Sequence, residues 1–208
     1  MAQRLIALLA FAGVTAGCGG SQPAVTVPAP AAPLPTGGIA GQEVTVYPLT
    51  LLSADETLGW ASRLTPRREA LARADSIIAE LLEERSPEVI WILPDELRRA
   101  ARRAPGLLAQ PDQMGTALLR FPNASRIPDP LRSQMRGLTG VAGGRYALVP
   151  ASLVFTVTDE GGGRAELTLV IADVRTGLVG WRTVAHADGD DPWLALRAAL
   201  KTLTPGLP

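Results

Sequence analysis

The carboxy-terminal third of the chain alternates between apolar and polar residues, and this pattern constrains the fold more than any other feature. Apolar side chains occupy the odd positions from 147 to 157 and from 165 to 171. Such alternation is typical of a β-strand with one face in the core. Residues 175–177 fit a three-residue hairpin loop, and residues 178–186 form the returning strand. The sequence therefore predicts a three-stranded antiparallel meander.

Two residues flank this predicted loop. Asp173 precedes it and Gly177 ends it. An aspartate at such a position is expected to accept hydrogen bonds from backbone N–H groups of the turn. The last residue of a three-residue hairpin loop is commonly left-handed, so we expect Gly177 to have a positive φ. We predict structural roles for both residues rather than catalytic ones.

The segments before the meander predict further strands and helices. Apolar runs at residues 44–49 and 89–93 are typical of strands, and residues 53–64 are expected to form a loop. Apolar residues at helical spacing predict a helix from Thr65-Pro66, with the threonine as its cap, to Arg85. Four more helix starts are marked by proline or aspartate-proline, at Pro94, Pro111, Asp129-Pro130 and Asp191-Pro192.

This order of elements predicts the fold class. We expect an α+β fold, close to α/β, with a mixed sheet of about five strands that ends in an antiparallel meander. Four to five helices are expected to flank the sheet.

Residues 1–17 have the features of a signal peptide. Arg4 supplies a positive charge before the apolar residues 5–14, which are too few to span ~30 Å of hydrocarbon as a helix. The sequence Ala-Gly-Cys at residues 16–18 resembles the lipobox of bacterial lipoproteins. The resemblance implies cleavage before Cys18, acyl chains such as palmitate on its sulfur and amine, and, with Gly19 in place of aspartate, sorting to the outer membrane.

The residues after the signal peptide predict a lipid-anchored tether, residues 18–40. This segment has no charged residue and contains five prolines. Because proline fixes φ and lacks an N–H group, we expect an extended tether without a stable helix or strand. Residues 41–208 are predicted to form a single globular α/β domain, long enough to bury a core without a disulfide or a metal ion.

The composition excludes several classes of function. The chain has 20 Lys+Arg and 20 Asp+Glu, so no positive excess favours nucleic acid as a partner. One histidine and one cysteine cannot form a Cys₂His₂ or Cys₄ zinc site or an internal disulfide. The chain has neither a Gly-x-Ser-x-Gly nucleophile elbow nor a P-loop. We therefore predict no catalytic residue, no metal site and no cofactor.

Two features leave further roles open. Histidine is the general base that titrates nearest to neutral pH, and His186 lies close in sequence to acidic residues 188, 190 and 191. A catalytic or pH-sensing role is therefore an alternative to that of a half-exposed strand end. Residues 98–103 include four arginines at i,i+4 spacing on a predicted helix, Arg98, Arg99, Arg102 and Arg103. This stripe is either a solvated helix face or a site for an anionic lipid headgroup or polymer.

Two segments resemble a known group of envelope proteins. They are the strand-helix junction at residues 91–97, Trp-Ile-Leu-Pro-Asp-Glu-Leu, and the hairpin at residues 167–181, with its Asp-x-x-Thr-Gly turn and the tryptophan of its returning strand. They resemble the periplasmic domains of curli-secretion-channel lipoproteins, of lipoprotein activators of penicillin-binding proteins, and the amino-terminal domain of the Tol-system propeller protein. The resemblance implies an α/β fold and a partner-binding, non-enzymatic role.

These observations predict two functions. The first is an exported, lipid-anchored, non-catalytic domain that docks on envelope machinery for secretion, cell-wall synthesis or transport. In it, Cys18 attaches the chain to the outer membrane facing the periplasm, and the protein partner is unidentified. The alternative is an envelope hydrolase whose active site is assembled only by the fold, for instance with His186 beside a serine and an aspartate.

Overall fold

Six strands form one mixed sheet in residues 32–204, the part of the chain that the computed structural model describes. The strands are β1 (Glu43–Val46), β2 (Leu52–Ala54), β3 (Ile90–Ile92), β4 (Tyr146–Val157), β5 (Gly163–Asp173) and β6 (Leu178–Gly189). Their order in the sheet is β3-β1-β4-β5-β6, and β2 also pairs with β4. The strands β4, β5 and β6 are antiparallel and form the predicted meander.

Helices and short 3₁₀ turns surround the sheet. In the described residues the α-helices are α1 (Thr36–Ile39), α2 (Arg67–Arg85), α3 (Pro94–Arg103), α4 (Leu131–Ala142) and α5 (Pro192–Lys201). The 3₁₀ turns are Glu56–Leu58, Ala61–Arg63, Pro111–Gln113 and Thr116–Arg120. The α+β class, the mixed sheet and the carboxy-terminal meander are confirmed.

The residues of β4 do not keep one face in the core, contrary to the prediction. A β-bulge between Pro150 and Ser152 shifts the alternation by one residue. Before the bulge, the odd residues, such as Val149, face one side of the sheet; after it, the odd residues, such as Phe155, face the other. Both faces of β4 therefore contribute to core packing.

The segment predicted as the loop 53–64 is partly a strand. Both β1 and β2 pair in parallel with β4, β1 with its first residues and β2 with residues further along the same edge. Pro48 is buried between them, where the chain leaves the edge of β4 and returns to it. The rest of the segment forms two 3₁₀ turns instead of a loop without regular structure.

The helix starts agree only in part with the prediction. Asp191 caps α5, because its carboxylate accepts hydrogen bonds from the N–H groups of Trp193 and Leu194. Thr65 does not cap α2; its hydroxyl donates to the carbonyl of Ala61 instead. Asp129 likewise makes no cap for α4, and the helix predicted from Pro111 is two 3₁₀ turns.

Two apolar clusters hold the layers together, one on each face of the sheet. On the first face, α2 and α5 pack over the sheet with side chains such as Ile78 and Leu196. On the second face, α3, α4 and the 3₁₀ turn Thr116–Arg120 pack over it with side chains such as Leu97, Leu119 and Met135. No helix within residues 32–204 is long and apolar enough to cross a membrane.

The predicted tether is wrong at its carboxy-terminal end. Residues 32–40 contain the one-turn helix α1, and the side chains of Leu34 and Ile39 are buried in the first apolar cluster. The N–H group of Leu34 also donates to the carbonyl of Leu203, at 2.9 Å. Proline restricts the backbone but does not prevent its neighbours from packing, so the folded region begins before Gly41. Signal peptide residues 1–17, Cys18 and tether residues 18–31 lie outside the described residues.

Candidate functional site

The β5–β6 hairpin has the geometry that its loop requires. Gly177 has a φ of 77°, in the left-handed region. The carboxylate of Asp173 accepts a hydrogen bond of 2.9 Å from the N–H group of Thr176 and forms an ion pair of 2.6 Å with Arg145. Burial opposes ionisation of Asp173, but these two partners outweigh it and lower the pKa of this carboxyl.

We expect Gly177→Val to lower the free energy of unfolding by about 1–2 kcal/mol, because a β-branched residue is strained at positive φ. A Cβ atom here would also lie 2.7 Å from Nε of Arg132, which would have to move. Urea unfolding measures the loss. Gly177→Asn is the matched control, since asparagine tolerates the left-handed region, and it should be less destabilising than valine.

Asp173→Ala is expected to cost about 1 kcal/mol, the scale of a lost side-chain hydrogen bond to the backbone. The loss should appear in thermal unfolding and in partner binding only to the extent that the fold is destabilised. If Asp173→Ala keeps its full thermal stability yet loses partner binding, Asp173 is a functional residue and the structural assignment fails.

One half of the second sheet face contributes nothing to either apolar cluster. The nine residues that share it form three rows across the meander: Ser152, Thr168 and Val184; Val154, Glu166 and His186; Thr156, Arg164 and Asp188. None of these side chains belongs to a core cluster. Val184 is 43% exposed and Asp188 is also exposed, whereas Ser152 and Thr168, in the row next to the covered half, are buried and the other five are partly buried. We call these nine residues the open face.

Helices and the 3₁₀ turn Thr116–Arg120 cover the other half of the second sheet face. This covered half ends at Arg182, which holds the turn and the residues after it against the sheet. The guanidinium of Arg182, on β6, donates to the carbonyls of Leu119, Phe121 and Ala124. Burial lowers the pKa of this arginine. Because Arg182 precedes Val184 by two residues on the same face of the strand, it places Phe121, whose side chain is exposed, at the border of the open face.

The far end of the open face is acidic. Arg164 pairs with Asp188 at 2.6 Å, and this hydrogen bond raises the pKa of Arg164, helped by the nearby Glu166 and Asp159. The carboxylates of Glu160 and Asp190 line the adjoining depression of the surface. One guanidinium therefore faces several carboxylates, so the open face is apolar near Val184 and negative beyond it.

His186 does not stand beside a nucleophile. Its side chain lies opposite Glu166 in the sheet, and within residues 32–204 its imidazole has no hydrogen-bond partner. The nearest serine on this face is Ser152, whose hydroxyl donates to the hydroxyl of Thr168 at 3.1 Å. Within residues 32–204, the structure therefore gives His186 no hydrogen bond to a serine, the arrangement named above as one instance of the hydrolase alternative.

The arginine stripe of α3 is not uniformly free to bind a ligand. Arg98 donates to Asp75 at 2.6 Å, to Asp112 at 2.7 Å and to Asp95 at 2.9 Å. Burial opposes its charge, but these three carboxylates outweigh burial and raise the pKa of Arg98. The other three arginines of the stripe, Arg99, Arg102 and Arg103, are exposed.

Sequence reasoning missed Asp75, the buried partner of this arginine. It lies on α2 and is 5% exposed, and its Oδ1 accepts a hydrogen bond of 2.8 Å from the N–H group of Leu49. Burial raises the pKa of Asp75 to about 6, although the bonds from Leu49 and Arg98 favour the ionised form. The sequence did contain a signal for this buried carboxylate: Asp75 is a charged residue at a helix position where the spacing calls for an apolar side chain.

Three solved structures resemble this fold. The LpoB C-terminal domain from Salmonella enterica matches with a TM-score of 0.39 and 16% identity over 72% of this chain and 84% of that one. The PelC dodecamer subunit from Paraburkholderia phytofirmans matches with a TM-score of 0.35 and 16% identity over 78% and 89%. Lipoprotein GNA1162 from Neisseria meningitidis matches with a TM-score of 0.34 and 13% identity over 71% and 81%.

All three matches have TM-scores below 0.5 and identities below 20%. At these TM-scores and identities, they carry no argument about what this chain binds. No protein-family model matches the sequence. No curated protein matches it either.

Proposed function

We propose that this protein is an exported, lipid-anchored and non-catalytic domain of the bacterial envelope that docks on a protein partner through the open face. The observation that carries the proposal is the exposure of the open face: Val184 and Asp188 are exposed, and five more of its nine side chains are only partly buried. Val184 on this face and Phe121 at its border are apolar and exposed, at 43% and 46%, and exposed apolar patches mark interaction sites. The lipobox-like residues 16–18 support export and anchoring.

The charge of the open face defines the partner's chemistry. Its apolar part is bordered by Phe121, and its far end carries Asp188, Glu160 and Asp190 against Arg164. A complementary surface has an apolar centre and basic residues on one side. A second copy of this chain that docked through its own open face would bring the same acidic end, so we propose a different protein as the occupant.

Site-specific photocrosslinking in native membranes tests the docking proposal. A photoreactive residue at Val184 should give a discrete adduct, and the adduct peptide of the partner should contain basic and apolar residues. Leu194 is the matched control, because it is 64% exposed but lies on α5, over the opposite face of the sheet. The double charge reversal Glu160→Lys/Asp190→Lys should weaken the adduct at Val184 by opposing a basic surface.

Equal adducts at positions 184 and 194, or an adduct at 184 that survives the charge reversal, would contradict docking of a basic partner at the open face. A hydrolase would instead turn over a cell-envelope substrate and lose that turnover in His186→Ala while keeping its stability.

The anchor is tested separately. Cys18→Ala is expected to abolish metabolic labelling with palmitate and to prevent cleavage at this site, because the sulfur is the proposed acceptor of the lipid. Mass spectrometry of the mature amino terminus checks both effects. Labelling that persists in Cys18→Ala would place the lipid elsewhere.

A further inference from the structure

We propose that a cleft between α2 and α3 binds a phosphate group. The cleft has a volume of about 790 Å³, within the roughly 300–1,000 Å³ of small-molecule sites. It includes no residue of the open face, so it stands independently of the docking proposal. Its lining residues with side-chain charge or amide groups are Arg67, Arg68, Arg98, Arg102, Gln110, Asp112 and Gln113.

Two of the four arginines in the cleft are already held by the protein. Arg98 is surrounded by its three carboxylates, one of which, Asp112, also lines the cleft. Arg67 donates to the carbonyls of Leu52, at 2.6 Å, and Thr50, at 3.3 Å. These bonds fix the two guanidinium groups in place and consume the donors that face the protein.

The other two arginines have no acidic partner among residues 32–204. The structure gives Arg68, on α2, and Arg102, on α3, neither an ion pair nor a side-chain hydrogen bond, and both are exposed. They lie on the two helices that line the cleft. A guanidinium is a planar fork of donors that matches phosphate oxygens, so both residues present donors suited to a phosphate group in the cleft.

The amino terminus of α2 adds to this preference. Arg67 and Arg68 are its first two residues, and Leu71 and Ala72, one turn later, also line the cleft. The N–H groups at the start of a helix and its dipole favour an anion there. The amide side chains of Gln110 and Gln113, which also line the cleft, supply further donors.

Three residues of the cleft lining are apolar. They are Leu49, Leu71 and Ala72, so a ligand with a hydrocarbon portion next to its phosphate gains from contact with them. Two sources share this chemistry: a free phosphate group, and the headgroup of a phospholipid with the first part of its acyl chains. The structure assigns the phosphate, and the experiment distinguishes the two sources.

The test measures binding by NMR with the purified full chain in phosphate-free detergent micelles. The probes are inorganic phosphate and short-chain phosphatidylglycerol below its aggregation concentration. Both should shift the amide signals of Leu71 and Gln113. Arg68→Gln/Arg102→Gln should weaken binding about tenfold or more, the effect of losing charge-assisted hydrogen bonds. Tighter binding of phosphatidylglycerol identifies the lipid, and equal binding of both probes identifies the free phosphate.

Arg99→Gln/Arg103→Gln is the matched control. It removes the same charge from exposed positions, both on α3, and neither residue lines the cleft. Binding should stay within about twofold of the wild type, since distant surface charges are screened. Equal weakening in both double variants would show diffuse attraction to a cationic surface and overturn the proposal, and so would the absence of binding by either probe. Unchanged thermal unfolding of the variants excludes loss of fold as the cause.

Discussion

Leu34→Ala is expected to lower the free energy of unfolding by about 2 kcal/mol or more. The side chain is 6% exposed and belongs to the first apolar cluster, and leucine-to-alanine changes in such sites cost about 2–5 kcal/mol. For a domain of this size each kcal/mol shifts the melting temperature by about 2–4 °C. A chain that begins at Gly41 loses Ile39 as well and should melt at least as early as the point variant. Scanning calorimetry measures both.

Leu107→Ala provides the matched control for this prediction. It makes the same chemical change at a leucine that is 87% exposed, and substitutions at such sites usually change stability by less than about 0.5 kcal/mol. If the chain beginning at Gly41 melts at the wild-type temperature, residues 32–40 do not contribute to the fold, and the domain boundary returns to the position that composition predicts.

The start of the folded domain could not be predicted from the sequence, because composition and packing are different properties. Prolines and the lack of charge describe residues 18–40 as a whole. The contribution of Leu34 and Ile39 depends on whether a core surface lies within reach, and that surface is built by β-strands and helices far along the chain. A local pattern carries no information about such a distant partner.

The meander was predictable because its pairing is local. Consecutive strands joined by short turns pair with their neighbours in the sequence, so the alternating residues 165–171 and the turn residues after them were enough to indicate the hairpin. The bulge in β4 could not be predicted from the sequence. An extra residue in the strand changes which side chains face the core, but it does not change the pattern of residue types. β2 was missed because it has three residues and pairs only with β4, about a hundred residues later.

The candidate sites were also predictable only where they depend on residues close together in the sequence. Helical spacing places Arg98 and Arg102 on one side of α3, and both line the cleft. Nothing in that spacing indicates that Asp75, from another helix, neutralises the first of them and leaves the second free. The open face also depends on tertiary arrangement, because it exists where the helices on the second sheet face stop, and no segment of sequence encodes that limit alone.

We expect the free energy of unfolding to depend on pH because of Asp75. Burial raises its pKa from 3.8 to about 6, so the folded state binds this proton more tightly than the unfolded state. The stabilisation that the protonated group provides is complete below about pH 4 and is lost as the pH rises through 6. Two pKa units correspond to about 3 kcal/mol. The charged groups that face Asp75 are Arg98, which favours ionisation, and Asp112, which opposes it.

The variant Asp75→Asn isolates this effect, because asparagine keeps the size of the side chain and cannot ionise. Its stability relative to the wild type should rise by up to about 3 kcal/mol between pH 4 and pH 7.5, as measured by urea unfolding at each pH. The variant gains stability relative to the wild type because only the wild type acquires a buried charge between pH 4 and pH 7.5. Asp95→Asn is the matched control, since it removes an exposed carboxylate from the same guanidinium and should leave the wild-type dependence in place. A difference between Asp75→Asn and the wild type that stays constant, or that changes in the opposite direction, would mean that the ion pair with Arg98 outweighs burial.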